Sequence, residues 1–83
     1  MNHEEIAARI YSRTAELAGL SACDVGPRTT LEGIGLDSSD AVILALELEE
    51  LLGTEVDVGV FLRFTTLGDA LDEIRRIYTL EPA

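Results

Sequence analysis

A small all-α domain, a four-helix bundle with three longer helices and one short helix between the second and the last, is predicted by three features of the chain. Apolar residues recur at the helical period in three separate stretches, and each stretch opens on a side chain able to cap a helix. No stretch alternates apolar and polar residues as a half-buried strand would. The chain has only 83 residues and a single cysteine, Cys23, so no disulfide can close within it and well-packed helices must carry the fold.

Asn2, with Glu5 three residues on, forms a capping pair for the first helix, along which Ile6, Ile10, Thr14 and Leu17 share a face. Gly19 supplies the left-handed residue on which helices commonly end, and Leu20 is placed to pack back on the last turn. From Leu20 to Leu36 no period persists, and Gly26-Pro27, Gly33 and Gly35 argue against regular structure, so a long loop is expected, anchored by Leu31, Ile34 and Leu36. The second helix is expected from about Ser38 to Leu52, with Asp37 as N-cap and Gly53 as stop. Its inner face is read as Val42, Ala45, Leu46, Leu48 and Leu52, while Ile43, Leu44 and Leu51 make it apolar most of the way round, which leaves surface for docking. Asp57 is expected to cap a short helix from about Val58 to Arg63, to which Phe61, Leu62 and Phe64 give bulk. Thr66 with Asp69 opens the last helix, whose Leu67, Ala70, Leu71, Ile74 and Tyr78 share a face and whose Arg75 and Arg76 suit the negative end of the macrodipole. Glu81-Pro82-Ala83 reads as a tail.

The chain carries 6 basic and 16 acidic residues, a net charge of −10. Phosphate backbones and anionic lipid surfaces repel such a chain, so neither nucleic acid nor membrane is expected as a partner. The acidity is concentrated: from Thr29 through Leu62 there is no Lys or Arg, yet Glu32, Asp37, Asp40, Glu47, Glu49, Glu50, Glu55 and Asp57 all fall there. A hydrophobic content of 47% sets this apart from a disordered acidic tail. The polar, acidic N-terminus does not resemble a signal peptide and no apolar run has bilayer-spanning length, so a soluble, cytoplasmic monomer is the expectation. A methionine close before the first helix suggests a free-standing protein.

The junction Gly35-Leu36-Asp37-Ser38-Ser39-Asp40 is where chemistry is to be sought. A serine there can be a helix cap or a point of attachment. A nucleophilic serine needs a base in reach and a group to orient it, and the sole histidine, His3, sits in the first helix, where a solvated surface role is the simpler reading. Cys23 lacks a partner histidine in the same way. Asp37 and Asp40 do not stand in the order of a calcium loop, and no metal site is expected. A paired-carboxylate glycosidase needs a cleft that a core this small does not build. No catalytic residue is therefore assigned, and a non-enzymatic role is expected. A phosphate ester at Ser38 would face the positive end of the second helix.

On these residues the chain resembles the acyl and peptidyl carrier proteins of fatty-acid, polyketide and nonribosomal-peptide assembly lines. Their attachment motif, Gly-x-Asp-Ser at the head of the second helix, stands here as Gly35-Leu36-Asp37-Ser38, approached through Thr30-Leu31, and Thr65-Thr66-Leu67 is similar to their lead-in to the last helix. The resemblance covers most of the chain and implies one carrier domain over residues 1–83. It implies that Ser38 carries 4′-phosphopantetheine, transferred from coenzyme A by a separate phosphopantetheinyl transferase, with Asp37 as the adjacent acid of the motif. It also implies that the arm's thiol holds acyl or aminoacyl cargo as a thioester for partner enzymes.

Ser39 stands where the family often has a bulky aliphatic residue, and Ile43 where fatty-acid carriers tend to show an acid, which points to a specialised polyketide or nonribosomal-peptide pathway. The expected partners are the transferase, a loading enzyme, and synthases with basic docking surfaces. Their expected contacts are Ser39, Asp40, Ile43, Glu47 and Glu50, with the acids steering association. The alternative is a small acidic interaction module, or one regulated by phosphorylation, in which Ser38 only caps its helix.

Overall fold

A computed structural model describes residues 2–78 of the chain. Among them are four α-helices, α1 (His3–Ala18), α2 (Ser38–Leu52), α3 (Val60–Arg63) and α4 (Leu67–Tyr78), with single 3₁₀ turns at Ala22–Asp24 and Glu32–Ile34 in the loop between α1 and α2. The four-helix bundle expected from the sequence is the fold observed. The expected tail, Glu81-Pro82-Ala83, lies outside the described residues.

Helix α1 begins as its capping pair dictates. Asn2 Oδ1 accepts the Glu5 N–H at 2.9 Å, and the Glu5 carboxylate accepts the Asn2 N–H at 3.4 Å. Ile6, Ile10 and Thr14 are buried along one face, and the Thr14 hydroxyl, fully enclosed, donates to the Ile10 carbonyl at 2.7 Å. The helix stops at Gly19 with φ +71°, and the Leu20 N–H returns to the Ala15 carbonyl at 2.8 Å. The Leu20 side chain, expected to pack back on the last turn, is exposed, and the backbone bonds of Gly19 and Leu20 close the turn.

Helix α2 packs between α1 and α3 on a face that keeps Ala45 and Leu48 of the one expected from the sequence but takes in Ala41 and Leu44 in place of Leu46. Ala41, Leu44, Ala45 and Leu48 are buried, Val42 and Leu52 are half-buried, and Leu46 is 50% exposed. The helix is apolar enough to offer two candidate stripes. The buried stripe pairs two alanines, which let neighbouring backbones approach, with two leucines that fill the space between them.

The short third helix also begins later than expected. Asp57 Oδ1 accepts the Gly59 N–H at 2.9 Å and the Asp57 carbonyl accepts the Val60 N–H at 3.1 Å, so this aspartate closes a turn and the helix starts only beyond it. Val60 and Phe61 are buried and Phe64 packs partly on the core, whereas Leu62, expected to give the helix bulk, is 55% exposed. In α4, Thr66 Oγ1 accepts the Asp69 N–H at 3.2 Å, and Leu67, Ala70, Leu71 and Ile74 are buried as their spacing implies. The Tyr78 hydroxyl donates to the Glu55 carbonyl at 3.0 Å and ties the end of α4 to the segment before α3.

The long first loop is held by backbone rather than by its leucines alone. The Leu67 and Gly68 N–H groups, orphan donors at the start of α4, donate to the carbonyls of Thr29 and Pro27, each at 2.9 Å. Val25 is the buried side chain of this segment, with Leu31 packed more loosely beside it, while Ile34 and Leu36 are only half-buried. A Cβ on Gly68 would lie 2.8 Å from the Pro27 carbonyl oxygen and 2.9 Å from Pro27 Cβ, so only glycine allows this approach. Gly68→Ala is therefore expected to destabilise the protein by about 1–3 kcal/mol through overpacking, although glycine to alanine inside a helix ordinarily gains roughly 0.5–1 kcal/mol. Urea denaturation followed by circular dichroism gives the sign.

Candidate functional site

Gly35, with φ +80°, turns the chain out of the 3₁₀ turn that ends the loop. Asp37, in extended conformation, then starts α2. One oxygen of its carboxylate accepts the Ser39 N–H at 3.0 Å, the Asp40 N–H at 3.2 Å and the Ser39 hydroxyl at 2.7 Å. In return the Asp40 carboxylate accepts the Asp37 N–H at 3.1 Å, which completes a capping box. The Ser39 hydroxyl, the Ser39 N–H and the Asp40 N–H hold Asp37 below the usual carboxylate value of 3.8.

Ser38 sits inside this box and takes no part in it. Its side chain is exposed, and among the described residues its hydroxyl makes no hydrogen bond. Cap and free hydroxyl are thus separate residues. The helix dipole does less for an anion at Ser38 than expected, because two of the first-turn N–H groups are already given to Asp37.

Ser38 and Asp37 stand at the edge of an open groove of about 750 Å³ between the first loop and α3. Leu31, Leu36, Phe61 and Phe64 give it apolar walls, and Thr30, Thr65 and Arg63 give it polar ones. Arg63 ion-pairs with Asp57, and its guanidinium carbon is 5.9 Å from the centre of the Phe64 ring. The Gly59 N–H and then Arg63 keep Asp57 below its usual range.

The remaining candidate residues fall on the outer side of α2. Ser39, Ile43 and Glu50 are exposed there, and the spacing brings Leu46 into the same stripe. Asp40 and Glu47 are half-buried along its edge. Glu47 Oε1 lies 3.8 Å from Arg13 Nε of α1, and Arg13 also pairs with Glu16 at 2.6 Å, so part of the charge expected of Glu47 is answered from within the chain. Sequence reasoning placed Leu46 inside and missed it as a surface residue, although it follows Ile43 by three positions. Arg63 was read only as the end of a helix. Its signal was its place as the first cation after the long acidic segment.

The described residues thus form a helical bundle with an exposed serine at the head of its central helix, its hydroxyl free of hydrogen bonds among them. The profile of the phosphopantetheine attachment site family matches residues 8–74. The chain is 35% identical over 75 residues to an acyl carrier protein of Rubrobacter xylanophilus, covering 89% of this chain and 93% of that protein. It is 33% identical over 78 residues to acyl carrier protein 2 of Ralstonia nicotianae, covering 93% and 96%. Its fold is similar, with a TM-score of 0.78 at 24% identity, to a type-II acyl carrier protein from Streptomyces verticillus involved in bleomycin biosynthesis, over 90% of this chain and 88% of the other. The chain belongs to the phosphopantetheine-binding acyl carrier protein family, a generally non-catalytic family whose covalent group is 4′-phosphopantetheine.

Because the folded-state value of Asp37 is lowered, its cap stabilises the protein above the ordinary carboxylate value. That contribution is lost as pH falls through the lowered value. Asp37→Asn can still accept the capping N–H bonds, so its stability should depend less on pH across that acid limb. Chemical denaturation at a series of pH values below neutrality reads the difference.

Proposed function

We propose that Ser38 is the residue to which the arm is attached and that residues 1–83 act as one carrier domain. The observation that supports this best is the separation of roles at the start of α2. Asp37 and Asp40 satisfy the helix end between them, while the Ser38 hydroxyl stands exposed and unbonded. The transferase removes the hydroxyl proton, and Ser38 Oγ forms an O–P bond to the pantetheine-side phosphorus of coenzyme A as the P–O bond of the pyrophosphate bridge breaks and adenosine 3′,5′-bisphosphate leaves. Asp37 fixes the backbone that presents Oγ and is the acid beside it that the transferase reads. Bound at Ser38, the group supplies a flexible, thiol-ended arm for acyl or aminoacyl cargo, and tethering gives partner enzymes a local concentration of the order of mM.

Partners are proposed to meet the outer stripe of α2, where Ile43 and Leu46 give apolar contact and Asp40 and Glu50 give charge. Basic rims on a loading enzyme or synthase are steered by that charge. The departures at Ser39 and Ile43 support a specialised biosynthetic pathway, and a carrier involved in bleomycin biosynthesis shares the fold. Among the described residues, no helix is long and apolar enough to cross a membrane. Action in the cytoplasm as a monomer is part of the same proposal.

Incubation with coenzyme A and a broad-specificity phosphopantetheinyl transferase, followed by intact-mass measurement, is expected to add one arm to the wild type and none to Ser38→Ala. A folded wild type that gains nothing would return Ser38 to the role of a surface serine in an interaction module.

Charge reversal at Asp40 or Glu50 is expected to slow association with a basic-rimmed partner, and added salt should shrink the effect. Reversal at Glu47 should do less, since Arg13 already faces it. Stopped-flow association rates at two ionic strengths test the ranking, and equal effects at all three positions would remove it.

A further inference from the structure

We propose that Arg63 is the counter-charge for the phosphodiester that attachment at Ser38 creates, an inference that rests on the Ser38 assignment above. A phosphodiester there adds an anion where Asp37 and Asp40 already carry charge. The first-turn donors that commonly receive an anion at such a place, the Ser39 and Asp40 N–H groups, are given to Asp37. Of that turn only the Ser38 N–H is left without a partner among the described residues, so much of the compensation falls to a side chain, and among the described residues lining the groove that Ser38 borders, beside the acids Glu32 and Asp37, Arg63 is the one cation. It is also the first cation after a run from Thr29 to Leu62 that has none.

Arg63 is suited to the task by how it is held. Asp57 pairs with one terminal nitrogen, and the Phe64 ring lies beside the guanidinium. The side chain is still 45% exposed, and among the described residues its other N–H groups have no hydrogen-bond partner. An arginine fork binds phosphate oxygens through such parallel donors, which an ammonium does as a point charge only. The competing possibility is that Arg63 only fastens the end of α3 to the turn at Asp57, in which case the arm would not sense it.

The two differ in solution. With ¹⁵N-labelled protein, the Arg63 Nε–H resonance is expected to move when apo-protein becomes holo-protein, and to move less in high salt. The ³¹P resonance of the holo-protein should differ between wild type and Arg63→Gln, with Arg63→Lys between them. Asp57→Asn, which releases the guanidinium, should enlarge the Nε displacement. Intact mass is recorded on every sample. Full mass gain with an unmoved Arg63 resonance, and a ³¹P signal identical in wild type and Arg63→Gln, overturns this inference and leaves Ser38 standing. Absence of any mass gain overturns the Ser38 assignment and this inference with it. Should Arg63→Gln fail to fold, the wild-type Nε measurement decides alone.

Discussion

The reciprocal cap between Asp37 and Asp40 is the interaction on which the site depends. A helix start leaves several N–H groups without partners, and a serine, aspartate or asparagine side chain at the N-cap is the usual remedy. Here one oxygen of Asp37 takes two of these N–H groups together with the Ser39 hydroxyl, and Asp40 returns the bond. Ser38, one residue into the helix, is relieved of the capping role and keeps its hydroxyl for solvent. A hydroxyl on a first helical turn is also held on rigid backbone, so its position is set by the helix rather than by a loop. The same arrangement occupies two of the first-turn N–H groups, those of Ser39 and Asp40.

The loop that leads into the cap is held by contacts distant from it. So small a domain has little apolar surface to bury, and its long first loop contributes chiefly Val25 and Leu31. What secures the loop is the start of α4, whose Leu67 and Gly68 N–H groups find carbonyls at Thr29 and Pro27. One set of bonds thereby satisfies a helix end and a loop that would each otherwise present unpaired backbone. With the loop fixed on one side and Phe61 and Phe64 on the other, a groove forms beside Ser38.

Much of this was legible in the sequence because capping is local. Asn2 with Glu5, Asp37 before Ser38, Thr66 with Asp69, and the glycines at 19 and 53 all act within one turn, and the structure uses each of them. What was not legible depends on contacts between distant segments. Leu46 and Leu44 are equally apolar, and only the packing of α1 and α3 selects Leu44 for the interior. Asp57 has the look of a helix cap, yet Gly59 allows a turn first, which shortens α3 and leaves Leu62 outside. Val25 could have been found as the sole large aliphatic residue between Leu20 and Leu31. The Gly68 approach to Pro27 could not, since nothing local distinguishes it from an ordinary helical glycine.

The acids of α2 show how far the fold accounts for its own surface. The C-terminal end of a helix is negative, and each acid placed there costs about 0.3–1 kcal/mol at low ionic strength. Glu49 nevertheless has a structural use, since its carboxylate accepts the Val56 N–H at 3.2 Å and holds the following turn against the helix end. Glu47, a little earlier, lies against Arg13. Glu50 has neither kind of partner among the described residues, stands exposed, and opposes the dipole. Next to Ile43 and Leu46, both exposed on the same stripe, its charge is open to a use at the surface. Under the proposed function that use is a basic-rimmed partner, with the apolar pair supplying contact once the charge has brought the surfaces together.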